Sequence, residues 1–331
     1  MKRISIAIAG AGDISQSIHI PLLHSIENAR ITAIYDPDKR KAAAVAGRWG
    51  IGRVCGSIDE LAGEDIDAVV ITARTDAHFE LAIKCIEAGK DLFIEKPMAR
   101  NFEEALQIHE AAENKGVKVM AGMNQRFRAD AIMMKNYVQM GEIGRLFYAK
   151  AGWMQQKRGK EWLRHFEISG GGVLIDLGIF LVDSLLWIFD FTEVKSVIGT
   201  SFNHLTESVE DIFTGSIRFA DGSMATIESS WSLFSNKNKF FCDVHGSKGS
   251  IKINPFRVFK NDGELNVAGL AGGRLSEYEI HRRSYENELK HFINACLGYG
   301  KIISTSSEAV KVLRVIDMLY RSAREERELN I

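Results

Sequence analysis

Along the first third of the chain, short apolar runs alternate with patterns that return an apolar residue every three or four positions. The continuous runs predict strands over Ile4–Ala9, Ile31–Tyr35, Ala68–Thr72, Leu92–Ile94 and Val117–Ala121. The periodic stretches predict helices over Lys39–Trp49, His78–Ala88 and Phe102–Asn114. Gly89 and Gly116 stand where two of these helices should stop, because glycine takes a left-handed C-terminal cap without steric cost. Strands that are apolar at nearly every position are buried on both faces, so this alternation means a parallel sheet covered on both sides. Pro21, in "SIHIPLLHSI", lacks a backbone donor. One helix should therefore end near Ile18 and a second should start near Pro21.

After about Gly122 the pattern changes. A long helix is predicted over Leu174 to Phe189, followed by strands that alternate apolar and polar positions. "SIRFADGSMATIE" reads as a hairpin turning on Asp221-Gly222, and "FFCDVHGSKGSIKI" also turns on glycines. A final helix covers Ser307–Glu326. The chain thus divides into an α/β part, residues 1–122, and an α+β part with a largely antiparallel sheet, residues 123–331.

Composition narrows the functions available. Forty-two Lys and Arg against 43 Asp and Glu give a formal charge of -1, so nucleic acid is not the expected partner. No apolar run is expected to cross a bilayer, and "ISIAIAGAG", short and glycine-broken, reads as a buried strand rather than a signal peptide. Cys55, Cys85, Cys242 and Cys296 lie far apart with no CxxC pair, which suits reduced, mostly buried thiols in a cytoplasmic protein and gives a metal site little support.

Three elements carry chemistry. Gly10-Ala11-Gly12-Asp13-Ile14-Ser15 follows the first strand and opens a helix. Its first glycine allows a tight turn, its second lets a pyrophosphate approach the backbone, and the helix start attracts phosphate. Asp36 closes the second strand, at the distance where an acidic residue meets the adenosine ribose. Its charge would repel a 2′-phosphate, which favours NAD over NADP. The plainer alternatives are a simple turn and a turn residue before Pro37. Glu95-Lys96-Pro97 ends a later strand, on the edge where open α/β sheets bind ligands. A partly desolvated Lys96 there can exchange protons with an alcohol or carbonyl, whereas a surface lysine would do nothing. Finally, Gly170, Gly171 and Gly172 release a helix bearing Asp176, with Phe180 and Asp183 near the same face. The alternative for Asp176 is a helix-end carboxylate bonded to nearby amides.

In this order the three elements resemble the glucose-fructose oxidoreductase/inositol dehydrogenase (Gfo/Idh/MocA) family, and the likeness runs over essentially the whole chain. It includes Ala68–Thr72 leading to His78, "MNQRF" (Met123–Phe127), "GEIG" (Gly141–Gly144), "GGGVLIDLG", "VED" (Val209–Asp211), "GSKGS" (Gly246–Ser250) and "RSAREER". The resemblance implies an N-terminal Rossmann domain and a C-terminal domain on an open, largely antiparallel sheet that pairs copies into a homodimer or homotetramer. It implies hydride exchange between NAD(H) and a sugar, polyol or keto-sugar. Lys96 is carried over as the catalytic lysine, behind a Lys-Pro bond that is often cis in relatives, and Asp176 as the substrate-side carboxylate. The cofactor set becomes Gly10, Gly12, Asp13, Ile14, Asp36, Thr72, Ala73, His78, Glu95, Lys96 and Asn124. The substrate set becomes Phe180, Arg158, Trp162 and His165.

Two departures matter. Relatives usually carry histidine, or tyrosine in some branches, four residues after the Asp; here it is Phe180, which cannot move a proton. Arg74 stands where many relatives have proline. Three readings follow. Lys96 does the acid–base work while Phe180 packs on a sugar; or His165 or His204 replaces the missing histidine; or the chain is a sensor that binds NAD and a sugar without turnover. The basic residues of "QQKRGKEWLRH" fit a carboxylated or phosphorylated sugar, or equally a solvated loop.

Overall fold

The structure, a computed structural model, describes residues 3–155, 161–233, 238–260, 263–265 and 276–331. Two compact units are formed. One is Met1–Asn124 with His281–Val310, and the other is Gln125–Ile280 with Lys311–Ile331. The division at residue 122 therefore leaves out a late segment that packs into the first unit.

The first unit is built on six parallel strands in the order β3-β2-β1-β4-β5-β6. They are β1 (Ile4–Ala9), β2 (Ala29–Tyr35), β3 (Arg53–Cys55), β4 (Ala68–Ile71), β5 (Asp91–Ile94) and β6 (Val119–Ala121). This is a doubly wound Rossmann sheet. Every residue of β4 is buried, as continuous apolar character requires for a central strand. The helices are α1 (Ile20–Ser25), α2 (Lys39–Trp49), α3 (Ile58–Gly63), α4 (Thr75–Glu87) and α5 (Phe102–Lys115). Gly116 caps α5 in the left-handed conformation, as read from the sequence.

Pro21 does not break the first helix. A π turn over Ser15–His19 runs directly into α1, with the Ile20 amide bonding Ser15 O, and Pro21 sits in the first turn of α1. A proline early in a helix costs little, and the wider turn keeps the helix continuous ahead of it.

The second unit opens with α6 (Ala129–Gln139) and β7 (Leu146–Met154), then α7 (Phe166–Ser169), a π turn over Leu174–Gly178 and α8 (Ile179–Ile188). Seven strands follow: β8 (Val194–Phe202), β9 (Ile212–Phe219), β10 (Met224–Ser230), β11 (Lys239–Gly246), β12 (Gly249–Ile253), β13 (Arg257–Lys260) and β14 (Gly263–Leu265). The helices α9 (Glu277–Cys296) and α10 (Ser306–Glu325) and a short β15 (Leu329–Asn330) end the chain. The nine-stranded sheet has the order β14-β13-β12-β11-β7-β10-β9-β8-β15 and is antiparallel except at the β7–β10 pair. The hairpin turn falls at Gly222, with φ +84°.

The stretch Phe166–Ile188 is long and apolar enough to cross a membrane, contrary to the reading of the sequence. However, 83% of its most apolar window is buried within the protein, which makes it a core helix lying against the sheet. Asp183, carried on this helix and fully buried, is held by Arg126 through a two-point ion pair at 2.8 and 2.6 Å. Each charge satisfies the other where water cannot.

Candidate active site

In the first unit, the loop after β1 packs against the ends of β2 and β4. Gly10 has φ +107°, and a Cβ there would sit 2.5 Å from the Ala73 amide nitrogen. Only glycine fits. Gly12 differs: a Cβ on it would meet nothing within 4 Å, so the absence of a side chain leaves room for a ligand rather than for protein. The helix that follows begins at Asp13, which is exposed, and runs on into the π turn, with the Gln16 amide bonding Gly12 O at 3.0 Å. Thr72 Oγ1 donates to Gly10 O at 2.8 Å and ties the loop to the end of β4. Asp36, at the end of β2, accepts from the Ala11 amide at 2.8 Å and the Asp38 amide at 3.0 Å, and pairs with Lys41 at 2.9 Å.

Lys96 follows β5, half-buried, and its bond to Pro97 is cis. Around it the backbone is tied on two sides. His78 reaches Pro97 O through Nδ1 at 2.9 Å and Ala73 O through Nε2 at 3.1 Å; burial lowers its pKa despite both carbonyls. Glu95, also buried, lies 2.6 Å from His19 Nε2 and accepts from the Lys96 amide at 3.0 Å. Burial alone would raise the Glu95 carboxyl, but the hydrogen bond from His19 and the charge and amide of Lys96 hold it below the usual range. Asn124 is buried, with its amide nitrogen on Ser284 Oγ at 2.9 Å and Oδ1 without a protein partner among the described residues. Arg74, in the position of the family's proline, forms a two-point pair with Asp76.

In the second unit, Asp176 lies on the π turn before α8 and is half-buried. Trp231, just past β10, donates to it through Nε1 at 3.1 Å. The turn itself is clamped by Glu210, which accepts from the Gly172 amide at 3.0 Å, the Leu174 amide at 2.9 Å and the Tyr320 hydroxyl at 2.8 Å. Gly172 has to be glycine, since a Cβ would collide with Glu210. Burial pushes the Glu210 carboxyl up to about 7, against those three donors. Asp211, next in the chain, accepts from the amides of His204, Leu205 and Thr206 and from Ser232 Oγ. Its own carbonyl takes the Trp231 amide at 2.9 Å. The "VED" motif is thus a pair of anchors, one for the turn that carries Asp176 and one for the tryptophan that holds it.

Phe180 is only 5% exposed and packs on Trp153 with ring centroids 5.5 Å apart. That leaves little ring surface for a sugar. Trp162 is half-buried on a single 3₁₀ turn, His165 is exposed, and His204 is exposed beside Phe202. Arg158 lies outside the described residues.

Residues 4–123 match the NAD-binding Rossmann fold of the Gfo/Idh/MocA oxidoreductase family, and residues 135–331 match that family's C-terminal alpha/beta domain. The chain belongs to the Gfo/Idh/MocA family. Among curated Gfo/Idh/MocA-like proteins, it is similar to D-glucoside 3-dehydrogenase of Escherichia coli, 26% identical, with 97% of this chain and 95% of the relative covered. It is also similar to inositol 2-dehydrogenase of Rhizobium meliloti, 24% identical, with 99% of both chains covered. A solved levoglucosan dehydrogenase in complex with NADH and levoglucosan shares the fold at a TM-score of 0.90 and 21% identity, with 100% and 99% of the chains covered.

As a Gfo/Idh/MocA oxidoreductase, the protein uses its first domain to bind NAD, and the residues present fit that cofactor. The open space at Gly12 and the helix start at Asp13 suit a pyrophosphate, and Asp36 suits a ribose diol. Three residues escaped the sequence reading: Trp231, His19 and the clamp role of Glu210. Only Glu210 had a signal, since "VED" places two carboxylates after an apolar residue where a partner is needed.

Proposed function

We propose that the protein is an NAD-dependent dehydrogenase that interconverts a CH–OH group and a carbonyl on a sugar, polyol or keto-sugar. Lys96 is the proton carrier and Asp176 the carboxylate that orients the substrate. The observation that carries this reading is Lys96 itself. It is half-buried at the carboxyl end of β5, with its backbone tied by Glu95 and its neighbour Pro97 tied by His78. A lysine meant only for solvent needs no such support. The curated relatives named as glucoside and inositol dehydrogenases, and the levoglucosan complex, support the substrate class. The nicotinamide supplies the hydride acceptor, while Lys96 Nζ takes the hydroxyl proton in oxidation and returns it in reduction. Asp176, fixed by Trp231, accepts a substrate hydroxyl.

Phe180 favours a second reading, a sensor that binds NAD and a sugar without turnover, because a phenyl ring packed on Trp153 relays no proton. A panel of sugars, polyols, uronates and keto-sugars, followed by NADH absorbance with wild type and Lys96→Met, separates the two. Turnover in wild type that falls about 10²–10⁴-fold in the variant supports the enzyme. Binding without turnover across the whole panel supports the sensor.

The same reading extends to assembly as a homodimer or homotetramer through the C-terminal sheet. One face of that sheet presents exposed Ile198, Thr200 and Thr214 beside half-buried Thr226 and Phe241, with Lys150 and Glu228 among them. Light scattering on wild type and Ile198→Asp tests this.

A further inference from the structure

His19 is fully buried on the π turn that links the glycine loop to α1. A π turn admits one more residue than an α turn, and such turns recur at functional sites. Here the turn leaves His19 facing the end of β5. Its Nε2 lies 2.6 Å from Glu95 Oε1, and its ring contacts Phe93 at 5.5 Å and Tyr285 of α9 at 5.8 Å between centroids. His19 Nδ1 has no hydrogen-bond partner among the described residues. An unpaired lone pair among aromatic rings costs less than an unpaired N–H, so the neutral tautomer with its proton on Nε2 fits, donating to an ionised Glu95. The other carboxylate oxygen accepts from the Lys96 amide at 3.0 Å.

A buried carboxylate at the end of an apolar strand is costly unless it is fully engaged. Glu95 is engaged on one side by the helix that begins at the cofactor loop and on the other by the backbone of the proposed catalytic lysine. We propose that His19 and Glu95 are positioning residues: a buried clasp that fixes the Lys96 backbone to the helix leading from the dinucleotide loop. This inference rests on Lys96 being the proton carrier. The clasp acts through the Lys96 backbone: it sets where Lys96 starts from, and misplacement of a reacting group by about 1 Å can cost roughly 10²-fold in rate.

The test compares full-length wild type with His19→Leu, His19→Gln, Glu95→Gln and Lys96→Met. Proton NMR of the protein without cofactor should show a downfield His19 Nε2–H resonance, absent in His19→Leu and moved upfield in Glu95→Gln. Steady-state kinetics should show kcat lowered by about 10²-fold in His19→Leu, with KM for NAD within about twofold of wild type. His19→Gln, whose amide N–H reaches the same carboxylate, should recover most of the loss. A purely structural role would lower the melting temperature without this split between kcat and KM or this rescue. If His19→Leu does not fold, the isosteric Glu95→Gln decides, and a folded Glu95→Gln with wild-type kcat overturns the clasp. Loss of turnover in Lys96→Met together with wild-type kcat in folded His19→Leu overturns the clasp alone. Wild-type kcat in Lys96→Met overturns the Lys96 assignment, and the clasp with it.

Discussion

Trp231 donates its indole N–H to Asp176 across 3.1 Å, joining residues that lie 55 positions apart in the chain. The indole is buried, so the bond fixes the carboxylate with a rigid ring rather than a mobile side chain. Trp231→Phe keeps most of the packing and removes the donor. A hydrogen bond to a charged acceptor contributes about 1.5–3 kcal/mol. Substrate kcat/KM should therefore fall by roughly 10- to 100-fold, with NAD affinity unchanged. Unaltered kcat/KM would remove Asp176 from the substrate's partners.

With Asp36 at the ribose, NAD(H) should bind at least about tenfold more tightly than NADP(H), a gap of roughly 1.4 kcal/mol. Lys41, 2.9 Å from that carboxylate, offsets part of the repulsion toward a 2′-phosphate. Lys41→Ala should widen the gap. Calorimetric titration of both proteins with both dinucleotides measures it, and equal affinities in wild type would refute the ribose assignment.

Phe180 reads differently once its packing is known. Buried against Trp153, it belongs to the core, and Phe180→Ala should cost about 3–5 kcal/mol of stability. Denaturant unfolding gives that number. The effect on substrate KM should be secondary, and Phe180→His should not raise kcat in an enzyme that already turns over. Activity found only in the histidine variant would favour the sensor.

Glu210 makes the second unit sensitive to pH. Its folded pKa of about 7 lies above the ordinary carboxylate value of 4.5, mainly because of burial. The folded state therefore holds the proton more tightly than the unfolded chain. The stabilisation is complete below about pH 4.5 and is lost as pH rises through about 7, on the order of 1–3 kcal/mol. Melting of wild type and Glu210→Gln from pH 5 to 8 should show a decline in the wild type that the variant lacks. Parallel curves would contradict it.

Most of the Rossmann sheet was legible because its strands are unbroken apolar runs; β1 and α2 match the predicted residues throughout. The strand β3 was not, since three residues with an exposed arginine carry no pattern. Pro21 misled because proline forbids an i−4 bond but does not forbid the helix from widening ahead of it. The glycines of the cofactor loop and the lysine after β5 were legible because backbone geometry and strand ends fix their places. The partners of Asp176, Glu95 and Asp183 were not, because each lies many residues away and is brought in by the sheet or by helix packing. The run from Phe166 to Ile188 shows the same limit: apolar length alone cannot say whether protein or lipid covers a helix.

The first unit takes in His281–Val310, which lays buried Tyr285, Leu289 and Phe292 into it and bonds Ser304 O to the Ala121 amide. During synthesis the cofactor-binding half therefore cannot finish when its last strand leaves the ribosome. Its closing segment emerges about 190 residues later, roughly 10–40 s at ~5–20 residues per second. In that interval the apolar surface awaiting Phe292 is open to solvent. A fragment ending at Asn124 would be held in that unfinished state permanently.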